Sequence, residues 1–236
     1  MHDILKHYSL LNQLNVPRET YLDFEAFISM IIEKNKEINI ISKESCKSEV
    51  IRNRHIIDSA QILDFVDLNY NTTTDLGTGG GFPGVVMAIM IKNMKKNTKI
   101  NLYEKSHHKS SFLREVTRKL NLNTSVIQKN IFETQELKTG TIMARAFKPL
   151  PVILDLVNKS FLSYENLVLF MGKSGKNILR ETLTEWEFDY EKKKSITSED
   201  SFLLNIKNIK KKKIKKNYFI LYKITKMLDR CIHVCM

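Results

Sequence analysis

Cysteine is scarce in this chain of 236 residues, and the three that occur are Cys46, Cys231 and Cys235. An odd number without framework spacing excludes a disulfide scaffold and is typical of a protein from a reducing compartment. Cys231, His233 and Cys235 suggest half of a metal site, but zinc sites usually add a second ligand pair elsewhere in the chain. We therefore expect no metal and interpret this end of the chain as a frayed tail.

Long apolar runs are absent as well, since none reaches the ~18–20 residues that span a bilayer. The first 14 residues mix His, Asp, Lys and Asn with apolar residues, so they contain no signal-peptide core. Proline occurs only four times, and the length suits one ordinary α/β domain with a short appendage. We expect a soluble, cytoplasmic protein with no membrane partner.

Basic residues are in excess, with a formal net charge of +12 and a pI near 9.5. Such a charge favours a polyanionic partner, because each neutralised phosphate releases counterions. Most of the excess lies after residue 190, above all in the lysine run at residues 207–216. This run has two interpretations: a surface that contacts RNA, or a solvated hairpin loop whose charges discourage edge pairing.

The order of predicted elements indicates an α/β fold. Apolar residues recur near helical spacing at residues 18–38, and a second helix is predicted at about residues 48–66. Short β-prone and helical segments then alternate, which predicts a mainly parallel sheet. Residues 201–206 and 218–224 predict an antiparallel hairpin at the sheet edge. We divide the chain into a helical cap (residues 1–70) and a ligand-binding domain (residues 71–230), which together form one compact unit.

A glycine-rich loop follows the first predicted strand, where Asp75 to Gly81 form the pattern D-x-G-x-G-x-G. Its glycines allow a tight turn and a close approach of a ligand to the backbone. Ligands of such sheets bind beyond the carboxyl ends of the strands. Glu104 ends the next predicted strand, where a carboxylate can accept both ribose hydroxyls of an adenosine.

A nicotinamide enzyme must be weighed, because Gly79, Gly81 and Gly84 formally match G-x-G-x-x-G. Asp75 counts against it, since a carboxylate before the first glycine would crowd a pyrophosphate. The same carboxylate can serve the amino group of a methionine moiety through water. Phe82 adds bulk where a dinucleotide loop needs close packing. The loop therefore favours S-adenosyl-L-methionine as the cofactor.

Several motifs follow one another in a specific order. The loop D-L-G-T-G-G-G-F-P-G at residues 75–84 is preceded by N-I-I-S at 39–42 and R-H-I-I-D-S at 54–59, and followed by A-R-A at 144–146. This combination resembles the bacterial 16S rRNA guanine-N7 methyltransferases of the RsmG (formerly GidB) family, over about residues 20–180. Gly80 is a mild departure, because the family usually has Ala or Pro there.

The resemblance implies a class I (Rossmann-like) methyltransferase fold and methyl transfer from S-adenosyl-L-methionine to N7 of a guanine in 16S rRNA of the small ribosomal subunit. It implies cofactor contacts at Gly77 and Phe82, an adenine against Ile131 and Phe132, with a backbone contact at Phe132, and an Arg145 that holds the cofactor carboxylate or an RNA phosphate. Simple core packing remains the alternative for the pair at 131 and 132. The candidate cofactor-binding residues are Asp75, Gly77, Gly79, Phe82, Glu104, Ile131, Phe132 and Arg145.

The R-H-I-I-D-S segment has i,i+4 spacing, so we expect Arg54 to pair with Asp58 and His55 with Ser59. Taken alone, it is a paired surface helix; with the resemblance, it lines the substrate cleft. Guanine N7 carries a lone pair and no proton, so we expect no catalytic base. The candidate RNA-contact residues are Arg54, His55, Asp58, Lys173 and Ser174.

Two other functions remain open from the sequence. One is a non-catalytic RNA-binding or ribosome-assembly protein that keeps the fold, against which the intact Asp75, Gly77, Gly79, Glu104 and Arg145 argue. The other is a small-molecule methyltransferase, which the basic charge and the helical cap disfavour. We expect a monomer.

Overall fold

Helices dominate the chain up to Phe65 in the computed structural model, which describes residues 4–14 and 16–213. The apolar face of the first long helix is buried, as its spacing predicts. The second predicted helix is interrupted by a π-helical segment. The elements are a 3₁₀ segment (Ile4–Leu14), α1 (Glu19–Asn35), a 3₁₀ turn (Lys43–Ser45), α2 (Ser48–Ile51), the π segment (Arg52–Ile57), α3 (Asp58–Ala60) and a second 3₁₀ turn (Leu63–Phe65).

A seven-stranded sheet follows, and its strand order confirms the predicted fold class. The strands of the chain are β1 (Thr72–Leu76), β2 (Lys99–Tyr103), β3 (Thr124–Ile127), β4 (Leu137–Lys138), β5 (Thr141–Ala144), β6 (Phe161–Ser163), β7 (Asn166–Met171), β8 (Trp186–Lys194) and β9 (Phe202–Lys211). The sheet order is β3-β2-β1-β5-β7-β9-β8, and β4 pairs separately with β6. The first five strands of that order are parallel to one another. Strand β9 runs antiparallel to both of its neighbours, β7 and β8.

Helices cover both faces of the sheet. Connecting the strands are α4 (Gly84–Asn93), α5 (His107–Lys119) and a 3₁₀ turn (Ile131–Glu133), then α6 (Leu150–Ser160) and α7 (Gly175–Glu185). One core cluster joins the N-terminal helices to α4 and α5, and the other contains α6 and α7. The N-terminal helices therefore share their core with the sheet, while the boundary at residue 70 stays a prediction.

The C-terminal hairpin is present but is built from other residues than predicted. Phe202 to Lys211 pair with Trp186 to Lys194, upstream in the chain. Strand β8 is hard to recognise in its sequence, W-E-F-D-Y-E-K-K-K. Only its first residues bury aromatic rings, and charged residues occupy the rest of this exposed edge strand. Lys207, Lys210 and Lys211 consequently lie within β9 rather than in a loop. The predicted strand at residues 218–224 lies outside the described residues.

The strand order places a crevice at one end of the sheet. The chain moves outward from β1 to β2 and β3, then returns to β5 on the other side of β1. Loops that leave β1 and β5 therefore diverge, and ligands of such sheets bind outside the carboxyl ends at this point. Those loops contain the glycine motif and Arg145.

Candidate cofactor and substrate site

The glycine loop turns sharply where β1 ends. Gly77 and Gly79 have φ of +66° and +59°, a conformation that L-residues adopt only with strain. A Cβ on Gly79 would meet only the Gly77 carbonyl oxygen, at 3.9 Å, and would otherwise enter open space. A Cβ on Gly77 would lie 2.3 Å from the Phe147 ring. The backbone at Gly79 is thus open to a ligand, whereas the Phe147 ring fills the space beside Gly77.

Asp75 lies beneath this loop and not in its cavity. The side chain is fully buried, and its Oδ2 accepts a hydrogen bond of 2.8 Å from the Gly84 amide at the start of α4. Burial raises the pKa of the Asp75 carboxyl to about 7. The geometry makes Asp75 a tie between the two ends of the loop, and a water-mediated contact with the cofactor stays a prediction.

We expect Asp75→Asn to flatten the pH dependence of stability. Between the ordinary pKa of an aspartate and about pH 7, the Asp75 carboxyl keeps its proton in the folded state but has lost it in the unfolded chain. The unfolding free energy of the parent therefore falls across this window as pH rises, by up to about 4 kcal/mol. Asn keeps an acceptor for the Gly84 amide and does not titrate. Urea unfolding at pH 5, 6, 7 and 8 measures the slope.

The exposed Asp200→Asn is the matched control, because it removes one carboxylate from the surface. It should leave the slope unchanged. Parallel slopes for the parent and Asp75→Asn would contradict the raised pKa.

Glu104 holds the end of β2 against the loop. Its Oε2 accepts from the Gly79 amide at 3.0 Å and its Oε1 from the Ser106 amide at 2.7 Å. The residue is 8% exposed, and that edge borders the cavity. Each carboxylate oxygen keeps a free lone pair for an external donor. This is the acceptor that a ribose diol requires, at the position predicted from the sequence.

A cavity of about 440 Å³ lies over the carboxyl ends of β1, β2, β3 and β5. This volume is in the usual range for a small-molecule site. It brings together seven of the predicted residues, which are His55, Gly77, Gly79, Phe82, Glu104, Ile131 and Arg145. Its size suits an adenosine-containing cofactor, and the contacts of that cofactor with individual residues stay predictions.

The predicted adenine wall is only partly formed. Ile131 is buried and lines the cavity, but the Phe132 side chain is 43% exposed and stacks on Phe147 with ring centroids 6.0 Å apart. The Phe132 amide already donates to Asn130 Oδ1 at 3.3 Å. The predicted backbone contact from Phe132 to adenine stays a prediction.

Arg145 is the centre of a half-buried polar cluster rather than an exposed arginine. Its Nη1 donates to Asp58 Oδ2 at 3.1 Å and to the Arg54 carbonyl oxygen at 3.0 Å, and its Nη2 contacts His55 Nδ1. The guanidinium carbon lies 5.3 Å from the centre of the Phe82 ring and 6.0 Å from that of Phe170. Arg145 borders the cofactor cavity with its position already fixed by the protein.

The predicted i,i+4 pairs do not form. Asp58 binds Arg145 instead of Arg54, and His55 contacts Arg145 instead of Ser59, whose hydroxyl has no partner within the described chain. The reason is the π-helical segment, which rotates the side chains away from α-helical spacing. Arg54 itself is exposed and contributes its carbonyl oxygen.

The turn between β8 and β9 is tied to the same cluster. Thr197 Oγ1 and Gln61 Nε2 each donate to Asp58 Oδ1 at 2.8 Å. The Ile196 amide donates to Gln61 Oε1 at 3.1 Å. The turn of the C-terminal hairpin, for which the sequence predicted no role, thereby helps to hold Asp58 and through it Arg145.

Lys173 and Ser174 are exposed before α7, outside the cofactor cavity, and their contact with RNA stays a prediction. The sequence reasoning missed Phe147 and Lys148, which border the cavity and could have been found because they directly follow the A-R-A turn at a strand end. Within residues 4–14 and 16–213, no group of three or more His, Cys, Asp or Glu side chains is arranged to hold a metal ion.

The parallel sheet, the glycine loop and the carboxylate after β2 define an S-adenosylmethionine-dependent methyltransferase of the Rossmann-like class. The model of the family described as rRNA small subunit methyltransferase G matches residues 20–207. The chain belongs to this family. Among the helices of its described part, none is long and apolar enough to cross a membrane.

Individual relatives agree with this assignment. The chain is 67% identical to ribosomal RNA small subunit methyltransferase G of Pelagibacter ubique, covering 90% of this chain and 100% of that protein. The protein of the same name from Bartonella henselae is 35% identical, covering 87% and 95%. A solved SAM-dependent methyltransferase from Aquifex aeolicus is 14% identical with a TM-score of 0.48, covering 63% of this chain and 88% of that one.

Proposed function

We propose that the protein transfers a methyl group from S-adenosylmethionine to N7 of a guanine in 16S rRNA of the small ribosomal subunit. The observation that carries the proposal is the basic rim of the cofactor cavity, formed by Lys105, Lys109, Lys129 and Lys148. A polyanion fits this rim better than a small metabolite does. Relatives over nearly the whole chain are named for action on small-subunit rRNA, and such a substrate puts the site of action in the cytoplasm.

The reaction needs alignment more than proton transfer. S-adenosylmethionine supplies, when bound, an electrophilic methyl group on a sulfonium. The N7 lone pair would form the new N–CH₃ bond as the S–CH₃ bond breaks, with the electrons of that bond left on sulfur. Glu104 would hold the ribose hydroxyls, and the open backbone at Gly79 would leave room for the rest of the molecule on the loop. Holding both partners in line contributes several kcal/mol or more of the ~7–11 that orientation can supply.

His55 is unsuited to be a base in this reaction. Desolvation, with the charges of Arg145 and Arg54, lowers the pKa of His55 to about 4. The ring is therefore neutral, and its one acceptor nitrogen faces Arg145. A guanine N7 nucleophile is consistent with a site whose histidine does not titrate near pH 7.

The proposal is tested with labelled S-adenosylmethionine and small ribosomal subunits from cells that lack the protein. We expect one methyl group per subunit, and mapping should find it on N7 of a guanine. Naked 16S rRNA in a parallel reaction shows whether the assembled particle is required. Binding without transfer would favour a ribosome-assembly protein, and the absence of both would refute the proposal.

Neutralising the rim should flatten the salt dependence of RNA binding. Lys105, Lys129 and Lys148 are exposed at the mouth of the cavity. We expect the triple Gln variant to lose about 0.7 to 0.9 units of slope, in log affinity against log salt, for each phosphate contact removed. Filter binding to small subunits at several salt concentrations measures it.

The lysine run supplies a control of equal charge. Because Phe202 pairs with Met171 and Ile206 with Leu167, β9 runs away from the carboxyl end of β7. Lys210, Lys212 and Lys213 therefore lie at the opposite end of the sheet from the cofactor cavity. Their triple Gln variant should keep the parental slope; a greater loss there than at the rim would move the RNA surface to the run.

A further inference from the structure

The contact between Arg145 and His55 determines where the proton of the imidazole lies. A guanidinium has five N–H donors, has no acceptor and stays protonated in proteins. Its Nη2 contacts His55 Nδ1, so Nδ1 must accept. In a neutral ring the other nitrogen then carries the hydrogen. His55 is therefore held as the tautomer with a donor at Nε2.

That donor has no partner of its own. His55 Nε2 is buried and makes no hydrogen bond to any residue that the structure describes. The ring stacks on Phe82 with centroids 4.8 Å apart and planes inclined by 27°, and Arg145 holds its Nδ1 edge. A buried N–H without a partner destabilises the protein unless a ligand supplies an acceptor. His55 and Phe82 both border the cofactor cavity.

We propose that His55 Nε2–H donates a hydrogen bond to O6 of the target guanine and thereby selects guanine over adenine. The inference rests on the proposed function. O6 lies beside N7 on the same edge of the base, so a donor to O6 also aims N7 at the methyl group. Adenine has an amino group in place of O6 and would present a donor to a donor. The mismatch leaves both groups unpaired, which is a strong form of discrimination.

A neutral donor also suits the charge that develops. The purine becomes positively charged as N7 is methylated, and a cationic side chain on O6 would oppose this change. The charge of Arg145 is matched by Asp58, which Thr197 and Gln61 hold in turn. The pairing of Arg145 with Asp58 therefore fixes the His55 N–H without placing an unpaired guanidinium against the ring.

Two variants separate the ring nitrogens. His55→Gln places an amide N–H near the position of Nε2, whereas the shorter His55→Asn reproduces only Nδ1. We expect His55→Asn to slow single-turnover methylation of small subunits by about 10- to 100-fold, the range of a lost hydrogen bond with one buried group left unpaired. His55→Gln should recover much of the rate. Calorimetric affinity for S-adenosylmethionine should stay parental in both variants, which also shows that they fold.

The base supplies the other half of the test. Subunits reconstituted with 2-aminopurine at the mapped nucleotide lack O6 and keep N7. The parent should lose about 10- to 100-fold in rate on these subunits, while His55→Asn should lose little more than it has already lost on guanine. Such non-additivity is the sign of a direct contact.

Three results would overturn the inference. They are additive losses for His55→Asn and 2-aminopurine, a weakened S-adenosylmethionine affinity in His55→Asn with a normal rate at saturation, and an NMR spectrum showing His55 protonated at Nδ1. The second would assign the donor to the cofactor. None of them is confused with failure of the proposed function, in which the parent itself would not methylate guanine-containing subunits.

Discussion

Replacing Arg145 with methionine is expected to lower the unfolding free energy by about 3 kcal/mol, because it leaves a largely buried carboxylate without its cation. The Arg145 and Asp58 side chains are 14% and 19% exposed, so water compensates little. Methyl transfer should fall by about 100-fold, the cost of a small misplacement in an aligned site. Urea unfolding and single-turnover methylation of small subunits measure the two effects.

The double variant Arg145→Met with Asp58→Asn separates these effects. The second substitution removes the unpaired charge and keeps an oxygen for Thr197 and Gln61, so part of the lost stability should return. Activity should not return, since His55 still lacks its donor at Nδ1. Equal stability of the parent and Arg145→Met would mean that the ion pair contributes nothing to the fold.

Gly79→Ala is expected to weaken S-adenosylmethionine binding by more than about 100-fold, or roughly 2.7 kcal/mol. The new methyl group meets only the Gly77 carbonyl oxygen at 3.9 Å, so it projects into the space that the ligand needs. The left-handed φ of +59° adds strain of about 1–2 kcal/mol to the folded state. Calorimetry measures the affinity, and urea unfolding accounts for the strain.

Gly172→Ala is the matched control, because a Cβ there has nothing within 4 Å and the residue lies outside the cofactor cavity. Its affinity should be parental. Gly77→Ala is less informative, since the Phe147 ring stands in the way and folding itself suffers. Parental affinity in Gly79→Ala would place the cofactor elsewhere.

The sheet and the cofactor loop were predictable because their signals are local. The predicted alternation of β-prone and helical segments corresponds to the parallel strands, and the glycines stand where the chain turns with positive φ. The edge strand β8 was missed although Trp186, Phe188 and Tyr190 alternate with charged residues, because only the first two are buried and its second half is entirely charged. The sequence therefore predicted a hairpin partner downstream, at residues 218–224.

The polar cluster was beyond sequence reasoning for a different reason. Arg145 and Asp58 are 87 residues apart, and Thr197 and Asp58 are 139 residues apart, so no spacing rule joins them. The i,i+4 rule predicted the wrong side-chain pairs, because the π-helical segment changes which side chains face each other. The candidate residues could be selected from the sequence, while their partners could be found only in the fold.

The position of β9 has a consequence for the order in which the protein is made. The last described strand is not at an edge but lies between β7 and β8. Until Phe202 and the residues after it have left the ribosome, β7 exposes a row of unpaired backbone groups. The cofactor loop and Glu104 are synthesised long before that, whereas Thr197 reaches Asp58 only when the hairpin closes. In a nascent chain, the residues of the cofactor loop are therefore available first. The contacts that hold Arg145 through Asp58 are completed last.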